Sequence, residues 1–185
     1  MPAPEHTYLF FRHVGIAARP SPLSGDYSWR LWRPTLAEPA PATLSRSAAA
    51  MWWWFHRLHV FSNRDYSALL IESGGEVVHR SMIFPGFFRF PFQQKWDLQV
   101  GDTWTMESHR NRGLAAYALA QIVHELRRAG RGFWYVVEEH NLPSIRAVER
   151  AGFAKLACGR RCSRFGLRFL GFYSMNSTSV AEHRA

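Results

Sequence analysis

The sequence predicts a single domain of mixed α/β (α+β) class. Three observations lead there. The chain has 185 residues with a 47% apolar fraction, enough for one filled core. A hairpin pattern of period two is written in Ser67–Glu72, the turn Ser73-Gly74-Gly75, and the return Glu76–Ser81. The period then switches to helical spacing at Leu114–Arg128, where Ala115, Ala118, Leu119, Ile122, Val123 and Leu126 recur.

The elements follow in order. Residues 1–44 are rich in Pro, Ala and Ser, which predicts an irregular segment packed on the domain, with one short strand around Tyr27–Arg33. The domain proper is expected over 45–176, with 177–185 as a tail. Ser45 or Ser47 is placed to cap a helix from about Ala48 to Phe61. That helix is apolar nearly all round (Trp52, Trp53, Trp54, Phe55), so burial on more than one side is expected. After the hairpin, Met82–Phe92 sets two prolines and a glycine among aromatics and reads as a strand end with a bulky loop. Lys95–Thr105 alternates as a strand. Gly130 is suited to end the helix at Leu114–Arg128, whose last turn carries Arg127 and Arg128. Phe133–Val137 is a buried strand run. Asn141 is a cap for a further helix with Pro143 in its first turn and Gly152 as its stop. Lys155–Met175 reads as two strands joined near Ser163–Gly166.

The formal net charge is +9, and of 23 basic residues only Lys95 and Lys155 are lysines. Arginine presents a planar fork that matches phosphate and carboxylate. An anionic ligand is therefore expected, and nucleic acid, an anionic membrane and a phosphorylated small molecule are the classes open. The arginines are scattered over strands, loops and helix ends rather than along one helix face, which disfavours nucleic acid. No apolar stretch approaches the roughly 20 residues of a membrane span. The N-terminal apolar run Tyr8–Phe11 is short and preceded by Glu5, a poor secretory signal, so a cytoplasmic chain is expected. Cys158 and Cys162 are too few for a disulfide scaffold; they read as reduced thiols, and no metal site is expected.

The most informative segment is Thr103–Ala115. A strand ends, a polar loop carries Arg110-Asn111-Arg112-Gly113, and a helix begins. First-turn N–H groups have no helical partner and the helix dipole is positive there, so such a junction binds anions. An ordinary turn with solvated arginines is the plain alternative.

Arg110-Asn111-Arg112-Gly113-Leu114-Ala115 resembles the Q/R-x-x-G-x-G/A signature of the GNAT superfamily of acyl-CoA-dependent N-acyltransferases. Downstream, Asn141–Phe153 resembles the family's N-x-x-S…E-x-x-G-F helix, one helix and one strand later, as in the family. The likeness is good over Ser67–Met175 and loose over residues 1–66, with a further loose likeness to members associated with bacterial surface-polysaccharide biosynthesis. It implies a mixed, mostly antiparallel sheet of about six or seven strands, flanked by helices, with a V-shaped split between the fourth strand (Lys95–Thr105) and the fifth (Phe133–Val137). It implies acetyl-CoA, or another acyl-CoA, as co-substrate. Its diphosphate would lie on Arg110, Asn111, Arg112, Gly113, Leu114 and Ala115, its pantetheine arm along Trp104, Thr105 and Met106, with Asn141 and Ser144 touching it from the next helix.

The implied reaction is direct attack of an amine on the thioester, needing a proton acceptor and an oxyanion donor. A backbone N–H near Thr105 or Met106 is the expected donor. Asp97, Asp102, Glu138 and Glu139 are the carboxylates open for the base, with Asp102, Asp97 and Glu138 favoured, and His109 or His140 as relays. The family's usual acid tyrosine is replaced by Val148, which leaves Ser144, Tyr173 or water to protonate the thiolate. The aromatic helix and the Phe84–Phe92 loop are expected to wall the acceptor, a small-molecule amine such as an amino sugar or its nucleotide-activated form. A module that binds CoA or a nucleotide without turnover, and a longer acyl chain, are the alternatives. Exposed aromatics would favour a homodimer. Arg160, Arg161, Arg164 and Arg168 are left without a role, unless they meet an anionic acceptor.

Overall fold

The computed structural model describes residues 7–15, 18–164 and 167–176, so the expected tail at 177–185 lies outside the described residues. Strands β1 (Thr7–His13), β2 (Tyr27–Trp32), β3 (Ser67–Ser73), β4 (Glu76–Pro85), β5 (Leu98–Thr105), β6 (Phe133–Glu138), β7 (Phe153–Arg164) and β8 (Leu167–Asn176) form one sheet in the order β2-β3-β4-β5-β6-β1-β7-β8. The helices are α1 (Arg46–Arg57), α2 (Leu114–Leu126) and α3 (Leu142–Arg150). Every neighbouring pair is antiparallel except β5 and β6, which run parallel.

The eighth strand is β1, in the segment expected to be irregular. It lies inside the sheet, pairing with β6 on one side and β7 on the other. Its Leu9-Phe10-Phe11 run lacks period-two alternation because both faces of the sheet are covered there; Phe10 and Phe11 are both buried. A continuous apolar run in a central strand carries no signal of which face it turns to which layer.

One face of the sheet is covered by α2 and α3. Leu114, Ala118, Leu119, Ile122 and Val123 of α2 and Val148 of α3 meet Leu9, Leu69, Ile71, Ile83 and Val100. The helical spacing of the α2 residues is the stripe that this contact requires. The other face is covered by Trp52 of α1 and by the 86–92 loop, whose Phe87 and Phe90 pack with Phe84, Met82, Leu70 and Tyr66. Ser45 caps α1, its Oγ accepting from Ala48 N at 3.4 Å. The expectation that α1 is covered on more than one side is corrected: Trp52 is its only buried residue, and Trp54 and Met51 are exposed.

The later elements follow their local signals. Asn141 Oδ1 accepts from Ser144 N at 3.2 Å and caps α3, with Pro143 in its first turn. Gly152, at φ 83°, lets the chain turn from α3 into β7.

Candidate active site

The sheet opens where its one parallel pair parts. Leu98, Gln99 and Val100 of β5 face Phe133, Trp134 and Tyr135 of β6, and the register ends there, although β5 runs on to Thr105 and β6 to Glu138. On its other side β5 carries an extra residue: Asp102 and Thr103 stand against Ser81 alone, between the pairs Met82↔Gly101 and Arg80↔Trp104. Asp102 takes φ 44° at this bulge, which bends the strand away from β6.

The bulge also decides which backbone groups face the opening. Met106 N–H donates to Val78 O at 2.8 Å, so it points to β4. In an antiparallel pair successive residues alternate sides, so Thr105 turns its N–H and C=O to the split. Its carbonyl there accepts from Arg110 Nε at 3.4 Å. Of the two amides expected as oxyanion donor, the Met106 amide is spent within the sheet. Behind Thr105, on the α2 side, the buried His79 bonds Thr105 Oγ1 through Nδ1 at 2.8 Å and Ser81 Oγ through Nε2 at 2.9 Å. Burial, helped by nearby Arg80, lowers the His79 pKa to about 3, so its ring is neutral.

The carboxyl ends of β5 and β6 point the same way, and the anion loop stands at that end. A single 3-10 turn, Glu107–His109, leads from β5 to Arg110–Gly113. Asn111 at φ 61° and Gly113 at φ 78° are both left-handed, which turns successive N–H groups to one side. The first helical bond of α2 is Tyr117 N–H to Gly113 O, so the amides of Leu114, Ala115 and Ala116 precede the ladder, and no side chain caps them. A Cβ on Gly113 would meet nothing within 4 Å, so the space beside these amides is open. Arg110 is tied back to Thr105 O and lies 3.6 Å from Glu107 Oε1. Arg112 donates to Tyr27 OH at 3.1 Å and Ser108 O at 3.1 Å, and Tyr27 OH bonds His109 Nδ1 at 2.9 Å. Uncapped amides, left-handed backbone and tethered guanidiniums fit a diphosphate. Trp104, Thr105 and Met106 border the split, and Asn141 and Ser144 stand just past the end of β6.

The three favoured carboxylates are not brought together. Asp97 lies at the opposite end of β5, 1% exposed, and accepts from Gly132 N (2.7 Å), Trp134 Nε1 (2.9 Å) and Gln94 N (3.1 Å). It fastens the start of β5 to β6, and the structure does not bring it to the site. Asp102 pairs at 3.0 Å with Nη2 of the buried Arg80, whose Nη1 bonds Thr43 O and Oγ1. Glu138 is exposed at the carboxyl end of β6, across the split from Thr105, and accepts from Tyr8 OH at 3.2 Å. Val148 is wholly buried against α2 and the sheet.

Sequence reasoning missed Tyr8 and did not place Tyr173, which meet at Glu138. Tyr8 stands opposite Glu138 in the β1–β6 register, and its ring meets Tyr173 edge-on with centroids 4.9 Å apart. Burial, then Tyr173 and Glu138, push the Tyr8 hydroxyl up to about 12; burial also raises Tyr173 against the pull of Arg161 and Arg89. Both phenols are therefore protonated at neutral pH. No local pattern marks this cluster, because it is assembled by pairing between the two ends of the chain.

The comparisons with known proteins come to the same elements. No curated protein matches the chain. Among solved structures, an acetyltransferase from the GNAT family of Colwellia psychrerythraea shares 14% identity and a TM-score of 0.57, over 82% of this chain and 53% of that one. The GCN5-related N-acetyltransferase of Sphaerobacter thermophilus gives 14% and 0.55, over 84% and 50%. The yncA protein of Salmonella typhimurium, solved with its cofactor acetyl-CoA, gives 16% and 0.52, over 86% and 100%. The chain thus spans about half the length of the first two. These likenesses establish the fold. The sequence profile of the acetyltransferase (GNAT) family matches residues 28–153, more than half of the chain and including the parted strands, the anion loop and α3. The chain belongs to the acetyltransferase (GNAT) family.

Proposed function

We propose that this chain transfers a short acyl group from acyl-CoA to the amine of a small-molecule acceptor. One observation carries the reading: the parallel pair β5–β6 parts after Val100, with the uncapped amides of Leu114–Ala116 at the open end. Bound acyl-CoA would supply an activated thioester carbonyl. The chain's own residues do the rest. The first-turn amides of α2, with Arg110 and Arg112, bind the diphosphate. Thr105 N–H faces the split as the donor for charge developing on the carbonyl oxygen, and His79 fixes the strand from behind. Glu138 accepts the amine proton, directly or through one water, and the protonated phenols of Tyr8 and Tyr173 stand beside it as proton donors. Asp102 holds Arg80 at the bulge.

The test is acetyl-CoA affinity by calorimetry. Gly113→Asp sets a carboxylate in the open space beside the first-turn amides and is expected to weaken binding at least about tenfold, the size of one lost charge-assisted contact. The left-handed φ costs about 1 kcal/mol of stability, so the variant still folds. Unchanged affinity would show that the diphosphate lies elsewhere. The burial of Val148, where the family's tyrosine would stand, favours a second reading, a CoA-binding module without turnover. Thiol release from acetyl-CoA in the presence of an amine panel separates the two.

A further inference from the structure

Helix α1 has two apolar sides, and the structure covers one of them. Trp52 is buried in the core beneath it, and Phe55 packs on Phe61 and Phe87. On the outward side Met51, Trp54 and Leu58 recur at i, i+3 and i+7, one stripe of a helix, and are 38%, 53% and 64% exposed. Val60, just past the helix, is exposed as well, and the half-buried Trp53 lies against Trp54 with ring centroids 5.1 Å apart. The charge beside this stripe has one sign. Arg46 and Arg57 are both exposed, and their spacing of about three helical turns sets them on one flank of it. No acidic residue occurs from Arg46 to Arg64, and the nearest carboxylates in the chain on either side, Glu38 and Asp65, are already paired with Arg30 and Arg131. At 12 residues α1 is too short to cross a bilayer, so its exposed stripe can lie only along a surface. Indole rings favour the headgroup layer of a bilayer, and arginines draw anionic headgroups. A second copy of the chain fits poorly, because two such helices face to face would bring like charges together with no acid on either.

We propose that the outward face of α1 docks on the surface of an anionic lipid bilayer, with Met51, Trp54 and Leu58 in the headgroup layer and Arg46 and Arg57 on lipid phosphates. This goes beyond the acyl-transfer reading and does not depend on it. α1 and α2 cover opposite faces of the sheet, so the docked helix and the first turn of α2 can be occupied at once. A stripe of three apolar side chains flanked by two arginines gives reversible attachment rather than insertion.

The experiment is flotation of the full chain with vesicles of phosphatidylcholine alone and with vesicles of equal parts phosphatidylcholine and phosphatidylglycerol. Binding to the anionic vesicles is expected to be at least about tenfold tighter, and the difference to shrink with added salt. Trp54→Glu and Leu58→Glu each set a carboxylate in the exposed stripe and are expected to weaken binding to anionic vesicles at least about tenfold. The pair Arg46→Gln, Arg57→Gln is expected to do the same. The pair Arg127→Gln, Arg128→Gln removes equal charge beyond the end of α2, from exposed positions on the other face, and is expected to leave binding within about twofold of the wild type. The melting temperature of each variant reports that the fold is retained. Equal binding of neutral and anionic vesicles, or no binding of either, overturns the proposal. Equal losses from the two arginine pairs would assign the attraction to the +9 charge of the whole chain and overturn it too. A dimer seen by sedimentation without lipid, and dissociated by Leu58→Glu, would give the face to a second copy and has the same consequence.

Discussion

Glu138 and Asp102 differ in what each already holds. Asp102 is the counter-ion of Arg80, a guanidinium only 5% exposed, whereas Glu138 is exposed and has a phenol as its partner. Neutralising each should therefore fail in different ways. Glu138→Gln is expected to lower kcat roughly 100-fold, the usual worth of a positioned base, with acetyl-CoA affinity and melting temperature retained. Asp102→Asn keeps the left-handed backbone tolerable but leaves a buried charge poorly matched. It should cost about 1–3 kcal/mol of stability, less than a wholly buried pair because Asp102 itself is partly exposed, and should spare kcat in what remains folded. Chemical unfolding and steady-state rates on both variants decide the assignment; the reverse pattern would make Asp102 the base. At this scale the sequence was readable wherever a residue's partner lies within a few positions. Gly113 and the Asn141 cap are such cases. It was opaque for Asp97, whose acceptor role depends on Gly132 and Trp134 across the sheet, and for Tyr8, brought to Glu138 by register alone.

Among elements, α2 and the loop before it were legible because a change of period and a Gly-containing junction are local signals. The hairpin β3–β4 was legible for the same reason. β1 was not, since a strand buried on both faces leaves only a short apolar run, and its neighbours are far away in the chain. The place of β1 rests on close packing at Gly159. A Cβ there would collide with Ser174 O, a backbone atom that cannot swing aside, and stand 2.8 Å from Phe10 Cε2. Gly159→Val should therefore part β7 from β8 and push Phe10 out of place, a loss of about 3 kcal/mol or more read as a lowered midpoint in urea. A midpoint equal to that of the wild type would mean that β7 and β8 do not approach as described.

For the whole molecule, charge and burial combine in its response to acid. His79 is enclosed by the sheet and α2 and stays neutral down to about pH 3, whereas in the unfolded chain it titrates at the ordinary 6.5. Below that value the unfolded state binds the extra proton, so the stability, fully present above about 6.5, falls with falling pH by about 1.4 kcal/mol per unit toward 3. His13 and His56, also lowered by burial, act in the same direction. Urea unfolding at pH 7 and pH 5 should show a larger loss for the wild type than for His79→Gln; equal losses would mean that His79 takes up its proton in the native state. The enclosed position of β1 has a consequence for how the protein comes into being. Tyr8 precedes Glu138 by 130 residues, so during translation the first strand leaves the ribosome long before either of its neighbours exists. Closing so wide a loop is slow, and the sheet cannot be completed until β7 has emerged. Until then Leu9-Phe10-Phe11 is a bare apolar strand, the stretch of the nascent chain that a holding chaperone would have most reason to cover.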